Sequence, residues 1–233
     1  MNILALDTTS AFSSIAVLRD GDIVLEYNFT SEDNLSAMLI PSMEFILKSV
    51  SLKLEEIDLF GIGIGPGLFT GIRVGLATLK GILFPKPKPL VPVITLKALA
   101  CKFSASPRTI VPLIDARRDE VYLAGYRFDN GQCVELLEPS LIKVSQLAEK
   151  LANLKQLLFV GSGAENHRDV LKKNFPEAPL YYRSFFLASE IGKIAFASFQ
   201  SGQYIIDLQQ LLPLYIRRPD AEAGRKKTSD EPD

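Results

Sequence analysis

Residues 61–75 read GIGIGPGLFTGIRVG, which places six glycines within fifteen positions. Glycine loses more backbone entropy on folding than any other residue, so this density requires a physical reason. The apolar run at 58–65 is typical of a buried strand, and helical spacing predicts a helix over 68–84. The stretch is therefore a strand-to-helix turn, a place where glycine-rich backbone often holds phosphate.

The known phosphate motifs do not fit this turn. A P-loop reads GxxxxGK[ST], but Gly65 and Gly71 are one residue too far apart and Ile72 follows in place of lysine. The dinucleotide fingerprint GxGxxG begins at Gly63 and is broken by Leu68. Backbone amides at the start of the helix still offer a site for an anion.

A second explanation accounts for more of the glycines. Gly67, Gly71 and Gly75 are four residues apart and Thr78 continues the row, so these residues share one smooth helix face. Small residues on one face let another segment approach closely. The spacing leaves two readings open: the face packs within its own domain, or it receives the helix of a partner.

The chain before this turn reads as three strands and a helix. A first strand at 3–7 ends in an acid, and Asp20-Gly21 predicts a hairpin because a tight primed turn needs positive φ. Apolar residues at helical spacing predict a helix within 31–50, which Pro41 is expected to kink or divide. Its candidate N-caps are Ser31, Asp33 and Asn34.

The second half of the chain repeats this order. A strand at 109–115 ends in an acid, a hairpin turn lies at 129–131, and an apolar strand at 157–163 ends in a glycine turn. An internal duplication of this kind predicts an α/β protein with two similar lobes.

The boundaries of the two lobes follow from the repeat. The amino-terminal lobe is assigned to residues 1–103 and is expected to be joined by 204–218, whereas the carboxyl-terminal lobe is assigned to 104–203. The tail, 219–233, has no aliphatic residue larger than alanine and is expected to be disordered. Other predicted elements are a strand at 90–94, helices at 145–152, 165–175 and 187–202, and a strand at 211–217.

Two acids stand at equivalent places in the repeat. Asp7 and Asp115 each end a strand and enter a polar turn, so in a two-lobed fold they would face each other across a cleft and could hold a metal-bound phosphate. The other reading is that each acid caps its own turn. The candidate residues of a vestigial nucleotide site are Asp7, Thr8, Thr9, Ser13, Asp115, Gly161 and Gly163.

The composition disfavours several classes of function. The chain has 233 residues, a formal net charge of -1 and one histidine, His167, so it lacks the ligands of a zinc or iron hydrolase and supports no Ser-His-Asp triad. Without a basic surplus, any contact with nucleic acid has to be local or shared with a partner. Cys101 and Cys133 fit no metal spacing and are expected to be reduced thiols of a cytoplasmic protein with no membrane segment.

Four stretches resemble one family in order along the chain. ILALDTT with SIAVL, GPGLFTGIRVGLATLKGI, IDARRDEVYLAGY and PLYIRRPDAE are similar to the signatures of the bacterial TsaB family, also called YeaZ, over residues 1–222. The resemblance implies the actin-like (ASKHA, ribonuclease H-like) fold with two duplicated lobes. It also implies the older glycoprotease-like classification of this superfamily.

The resemblance further implies a role in tRNA modification. Proteins of this family are non-catalytic scaffold subunits, with no cofactor of their own, in the synthesis of threonylcarbamoyladenosine beside the tRNA anticodon. They pair with the paralogue TsaD, which carries the metal-binding histidines, and with the ATPase TsaE; the complex can bind ATP or ADP and tRNA. Alone, such a subunit forms a homodimer. The alternative is an ASKHA-type ATP-binding enzyme, a kinase or ATPase, that uses Asp7 and Asp115, whereas a metallopeptidase is disfavoured by the single histidine.

The family's partner surface matches residues 33–49 and 69–84, the first two predicted helices. This match favours the partner reading of the glycine face. The predicted interface residues are Leu35, Met38, Leu39, Met43, Ile46, Gly71, Arg73, Gly75 and Thr78.

Overall fold

The computed structural model describes residues 1–30, 34–129, 131–181 and 186–217. The predicted tail, 219–233, and the candidate N-caps Ser31 and Asp33 lie outside the described residues. The strands are β1 Asn2–Asp7, β2 Phe12–Arg19, β3 Asp22–Thr30, β4 Leu59–Gly63, β5 Leu90–Val93, β6 Thr109–Asp115, β7 Glu120–Asp129, β8 Gln132–Lys143, β9 Leu157–Val160 and β10 Leu180–Tyr181. The α-helices are α1 Leu35–Ser49, α2 Phe69–Leu83, α3 Thr95–Cys101, α4 Leu147–Lys150, α5 Ser162–Asn166, α6 Arg168–Asn174 and α7 Ala188–Gln200.

The strands form two five-stranded sheets with the same topology. The first sheet has the order β3-β2-β1-β4-β5, and the second, read from its hairpin edge, has the order β8-β7-β6-β9-β10. In each sheet the first three strands are antiparallel neighbours, and the last two join in parallel. The repeated element order in the sequence thus corresponds to a repeated sheet.

The predicted hairpin turn between β2 and β3 is confirmed. Asp20 has a φ of 52° and Gly21 a φ of 91°, so both central residues are in the left-handed region that a primed two-residue turn requires. The turn sets the register of β2 against β3, in which Arg19 lies opposite Asp22.

Helices and sheets alternate in layers around three apolar cores. One core lies between the first sheet and helices α1 and α2, a second between the two sheets, and a third between the second sheet and helices α4, α5 and α6. Helices α3 and α7 form the layer between the sheets. This arrangement leaves the outer faces of α1 and α2 at the surface of the molecule.

The two middle helices cross between the halves of the sequence. Helix α3 comes from the first half and packs on β6 and β7, whereas α7 comes from the second half and packs on β1 and β4. Glycines permit the close contact of α7: a Cβ on Gly61 would lie 3.0 Å from the Cβ of Ala195, and one on Gly192 would lie 2.2 Å from Leu18. Helix α7, predicted within 104–203, therefore packs on the sheet of the other lobe.

The last described segment returns to the first sheet and reaches the second. Ile205 exchanges two backbone hydrogen bonds of 2.9 Å with Leu90 of β5, and the Leu214 N–H donates to the Ile64 carbonyl. The Arg217 guanidinium donates to the Ala116 carbonyl and pairs with the carboxylate of Glu120, the first residue of β7.

Several predicted elements differ from the structure. Residues 211–217 do not form a strand, because their backbone makes single bonds such as that from Leu214 rather than a ladder. The helix expected over 165–175 is interrupted at His167, where α5 ends and α6 begins. Pro41 does not divide α1, which runs unbroken from Leu35 to Ser49. Proline lacks an N–H, so the helix loses one backbone hydrogen bond at this position.

The glycine face of α2 is buried inside the chain. A Cβ on Gly67 would lie 2.2 Å from the Thr9 carbonyl oxygen, and one on Gly71 would lie 2.0 Å from the Thr8 carbonyl oxygen. One on Gly75 would lie 2.3 Å from the Thr8 hydroxyl. The reading in which the face packs within its own domain is correct, and the predicted docking role of Gly71 and Gly75 is wrong.

The predicted interface residues of α1 need the same correction. Leu39, Met43 and Ile46 are buried in the core between α1 and the first sheet, because their side chains lie on the inner stripe of the helix. Of the other predicted interface residues, Leu35 and Met38 of α1 and Thr78 of α2 are half-buried. Arg73 of α2 is exposed.

Replacement of Gly71 by alanine tests this contact. The new methyl group would collide with the Thr8 carbonyl, so Gly71→Ala is expected to lower the free energy of unfolding by about 1–3 kcal/mol or more, as overpacked positions do. Gly81 on the same helix is the matched control, because a Cβ there meets no atom within 4 Å. Gly81→Ala is expected to raise stability by roughly 0.5–1 kcal/mol through helix propensity. Urea unfolding measures the change in unfolding free energy for both variants. Equal changes would contradict the close packing of Gly71 against Thr8.

Candidate functional site

The turn after β1 holds the first predicted acid. Asp7 Oδ1 accepts hydrogen bonds from the Thr9 backbone N–H at 3.0 Å and from the Thr9 hydroxyl at 2.7 Å. Asp7, Thr8 and Thr9 are all buried. Asp7 therefore caps its own turn, as the second reading of the sequence proposed.

Helix α2 covers this turn. The Thr8 hydroxyl donates to the Gly71 carbonyl at 2.9 Å, and the Leu68 N–H donates to the Thr9 carbonyl at 2.7 Å. A Cβ on Gly63 of β4 would lie 2.9 Å from Asp7 Oδ1, so backbone closes this side of the carboxylate as well. A phosphate group at Asp7 would require α2 to move away from the turn.

Burial perturbs the ionisation of Asp7. Its carboxylate loses contact with water, and this desolvation raises its pKa from 3.8 to about 6 against the opposing effect of the Thr9 hydrogen bonds. The positive charge of Lys102 opposes the rise more weakly. The Asp7 Oδ2 atom is buried and has no hydrogen-bond partner among the described residues.

Lys102 belongs to an ion pair between the two sheets. Its ammonium group lies 2.8 Å from the Glu190 carboxylate, and both side chains are largely buried. Lys102 follows α3, which packs on the second sheet, whereas Glu190 is on α7, which packs on the first. The pair thus links the two crossing helices close to the first acidic turn.

The second predicted acid lies in a more open environment. Asp115 Oδ2 accepts a hydrogen bond of 2.8 Å from the Asn166 amide, and Oδ1 accepts one of 3.1 Å from the Arg117 backbone N–H. His167 Nε2 lies 3.6 Å from Oδ1. The Asp115 N–H donates to the Ser162 hydroxyl at the start of α5.

The structure does not bring all the candidate nucleotide residues into one contact group. Asp7 is joined to Thr9, and Asp115 to Asn166; no hydrogen bond or ion pair joins the two acids in the described part of the chain. Ser13 is buried in β2. Gly161 and Gly163 bring α5 against β6, since a Cβ on either would lie within 2.9 Å of Leu113. Contact between these residues and a nucleotide stays a prediction.

The outward sides of α1 and α2 carry exposed apolar or small residues, which we call the α1–α2 face: Ile40, Phe45, Phe69, Ala77, Gly81 and Phe84. Phe45 also packs against Tyr27 of β3, with ring centres 5.3 Å apart. All six are exposed, and Phe84 retains 81% of its accessible surface. Gly81 leaves open space on this face, unlike Gly71 and Gly75, which are buried. An apolar surface of this kind on two adjacent helices can bind another protein.

An ordered arginine borders the α1–α2 face. The guanidinium of Arg73 lies 3.8 Å from the centre of the Phe69 ring, and its Nε donates to the Tyr215 hydroxyl at 2.9 Å. The Phe69 and Tyr215 rings are 5.0 Å apart. Arg73 is thereby held in one orientation at the surface, where it can meet a carboxylate or a phosphate.

Sequence reasoning missed four residues of these sites. Phe69 and Tyr215 fix Arg73, and Lys102 and Glu190 pair beside the acidic turn. Phe69 lies inside the glycine-rich motif, four residues before Arg73. Helical spacing therefore predicts the contact between these two side chains. The other two contacts, Arg73 with Tyr215 and Lys102 with Glu190, join residues that are distant in sequence.

The described residues contain no group of three or more His, Cys, Asp and Glu side chains arranged to hold a metal ion. No helix within the described ranges is long and apolar enough to cross a membrane.

Comparison with known proteins identifies relatives of the whole chain. The sequence model of a family described as TsaD, tRNA N6-adenosine threonylcarbamoyltransferase, matches residues 30–222. A Bacillus subtilis protein named tRNA threonylcarbamoyladenosine biosynthesis protein TsaB is 25% identical, with 96% of this chain and 97% of the relative covered.

Solved structures agree with this similarity. A Pseudomonas aeruginosa protein described as uncharacterised and similar to peptidase YeaZ superposes with a TM-score of 0.80 at 25% identity, covering 93% of this chain and 99% of the other. Component A of the (R)-2-hydroxyglutaryl-CoA dehydratase of Acidaminococcus fermentans has a TM-score of 0.52 at 14% identity, covers 85% of this chain and 98% of its own, and shows the fold alone. The predicted actin-like fold with two duplicated lobes is confirmed.

The pH dependence of stability tests the burial of Asp7. Its folded pKa of about 6 lies above the unfolded value of 3.8, so between these values the folded state binds more protons and stability falls as pH rises. Relative to Asp7→Asn, the wild-type chain is expected to lose roughly 2.4 kcal/mol of unfolding free energy from about pH 4 to pH 7. Any cost of burying the asparagine amide is independent of pH over this range.

Urea unfolding at several pH values measures this difference. The exposed Asp169 of α6 supplies the control, and Asp169→Asn is expected to keep the pH dependence of the wild-type chain. If the unfolding free energies of the wild-type and Asp7→Asn chains change in parallel with pH, Asp7 is hydrated in the folded state and the assignment of a buried carboxyl is wrong.

Proposed function

The chain belongs to the TsaD family, described as tRNA N6-adenosine threonylcarbamoyltransferase, and from this premise we propose that it is a non-catalytic subunit of a tRNA-modifying complex. In this proposal it docks through the α1–α2 face on a TsaD-type paralogue, which carries out the threonylcarbamoyl transfer. Similarity over 75–96% of this chain to proteins named for threonylcarbamoyladenosine biosynthesis supports the pathway.

The observation that carries the docking role is the exposure of apolar side chains on two helices whose inner faces are already packed. Ile40 is 50% exposed and Phe45 is 56% exposed, although both are on a helix that contributes four residues to the buried core. Burying such side chains against a partner is favourable by about 25 cal/mol for each Å² of apolar surface. Arg73, held against Phe69 and Tyr215, adds a charged group that favours a carboxylate on the partner.

The proposed partner is a protein of the same fold. A paralogue would present equivalent helices, so α1 and α2 of each protein could pack as a four-helix contact related by a pseudo-twofold axis. In the absence of the paralogue, a second copy of this chain would use the same face and give a homodimer. Association of the ATPase TsaE and of tRNA with the assembled complex is part of the same proposal.

The non-catalytic role has its own support. The sequence has a single histidine, so it cannot supply the histidine ligands that the resemblance assigns to the catalytic paralogue. Asp7, the acid that an ATP-using relative would turn toward a metal-bound phosphate, is buried under α2. We propose that ATP or ADP is bound by the complex and not between the lobes of this chain alone.

A charged substitution on the α1–α2 face tests docking. Ile40→Glu places a carboxylate in the proposed contact, so the Kd for the TsaD-type paralogue of the same organism is expected to rise at least about thirtyfold, equivalent to roughly 2 kcal/mol. The fold should be retained, because substitutions at exposed sites usually change stability by about 0.5 kcal/mol or less. Analytical ultracentrifugation of the mixed proteins measures the affinity.

Val134 on β8 provides the matched control. It is 45% exposed, close to Ile40, but lies on the edge strand of the second sheet. Val134→Glu is expected to leave the affinity unchanged. Equal weakening by both substitutions, or by neither, would contradict docking through α1 and α2.

Titration with nucleotide tests the alternative of an ATP-binding enzyme. We expect no heat of binding when Mg-ATP is added to the isolated chain at millimolar concentration, because α2 closes the turn of Asp7 and Thr8. Isothermal titration calorimetry of the wild-type chain and of Asp7→Asn measures this. A saturable heat that Asp7→Asn abolishes would favour the kinase or ATPase reading over the non-catalytic one.

A further inference from the structure

Helix α2 carries positive charge that its own residues do not balance. It contains two cations, Arg73 and Lys80, and no acid. The two are seven residues apart, or about two helical turns, so they lie on the same side of the helix. On α1, Glu44 and Lys48 are four residues apart, the spacing at which opposite charges pair along a helix. The surface thus combines a neutral helix with a cationic one, although the whole chain has a formal charge of -1.

The described residues offer no carboxylate to these two cations. Ion pairs in that part of the chain join other groups, such as Lys102 with Glu190. Arg73 is exposed and Lys80 is half-buried. Such cations gain from a carboxylate that another molecule brings, and the gain grows when the contact excludes water.

Arg73 is held in an orientation that suits a carboxylate. Its guanidinium lies 3.8 Å from the centre of the Phe69 ring, and its Nε donates to the Tyr215 hydroxyl at 2.9 Å. Tyr215 is fixed in turn, because the preceding Leu214 N–H donates to the Ile64 carbonyl. No described residue accepts a hydrogen bond from Nη1 or Nη2 of Arg73. The free end of the guanidinium is therefore a preorganised fork, the geometry that binds both oxygens of a carboxylate.

We propose that the protein bound at the α1–α2 face is acidic where it meets α2, and that Arg73 binds one of its carboxylates in a bidentate pair with Tyr215 as the positioning residue. This inference rests on the docking role proposed above. Because Arg73 stacks on Phe69, which belongs to the apolar face, the molecule that covers that face also supplies the group that reaches Arg73. A protein can cover apolar side chains and supply a carboxylate together, whereas RNA binding draws on a basic surplus that this chain lacks.

The same charges disfavour a second copy of this chain as the partner. Two copies that meet through the α1–α2 face would each bring Arg73 and Lys80 to the contact, and like charges across an interface weaken it. A paralogue with acids at the contact would gain instead. Dissolved salt screens attraction and repulsion alike, so it weakens the mixed pair and strengthens the homodimer.

Analytical ultracentrifugation at two ionic strengths tests the charge of the partner. Between about 50 mM and about 500 mM potassium chloride, the Kd of the chain for the TsaD-type paralogue of the same organism is expected to rise roughly tenfold, whereas the Kd of the homodimer is expected to fall. No association with the paralogue at either concentration would contradict the docking role itself. Association with a Kd that falls or stays constant as salt rises would overturn the acidic partner alone.

Substitution of Arg73 tests the bidentate pair. Arg73→Gln is expected to raise the Kd for the paralogue about tenfold at low salt and to reduce its dependence on salt, because a charge-assisted pair is lost. Arg73→Lys keeps the charge but not the fork, so it is expected to recover only part of the affinity. Equal Kd values for the wild-type and Arg73→Gln chains would overturn the proposal. If Arg73→Gln weakened only the binding of tRNA by the assembled complex, Arg73 would bind a phosphate and the proposal would also be wrong.

A double substitution tests the positioning role of Tyr215. Tyr215→Phe removes the hydroxyl that accepts from Arg73 Nε and is expected to raise the Kd about threefold in the wild-type chain but not in the Arg73→Gln chain. Equal weakening in both chains would mean that Tyr215 acts on the structure and not through Arg73.

Arg127→Gln is the matched control for charge. Arg127 is an exposed arginine of β7 in the second sheet, away from α1 and α2. Its replacement is expected to leave the Kd for the paralogue and the salt dependence unchanged. Thermal unfolding confirms that each variant is folded before its affinity is measured. An increase in Kd equal to that of Arg73→Gln would show that only the total charge matters and would overturn the assignment of Arg73.

Discussion

The contact between the backbone of α2 and the turn after β1 determines most of what this molecule presents to its surroundings. The Thr8 carbonyl and hydroxyl lie where a Cβ of Gly71 or Gly75 would be, so the helix can approach the turn only with glycine at these positions. The same contact removes Asp7 from solvent and raises its pKa. It also fixes the rotation of α2 about its axis, and with it the set of side chains that point outward.

This rotation explains why the proposed docking surface differs from the one that the glycine row suggested. Gly71 and Gly75 face inward with the large apolar residues of α2, which leaves Arg73, Ala77 and Gly81 on the outside. Phe69 and Tyr215 then hold Arg73 beside that surface. The exposed side chains used in the proposed docking and the burial of the Asp7 turn are consequences of a single packing arrangement.

The sequence was sufficient for the fold but not for the orientation of its helices. The Asp20-Gly21 turn and the repeated acid-ended strands have local signals, because turn conformation and strand burial depend on neighbouring residues. Which face of α2 is covered depends on what packs against it, and a row of small residues is compatible with either outcome. The pairing of Lys102 with Glu190 had no local signal, since its partners lie on helices that cross between the halves.

The position of α7 has a consequence for how the protein is made. The inner face of the first sheet, with Ile3, Ala5 and Leu18, is covered by a helix that is not synthesised until residues 188–200. A ribosome releases the amino-terminal strands long before that helix emerges. One side of the first sheet therefore stays unprotected in the nascent polypeptide until α7 has been translated.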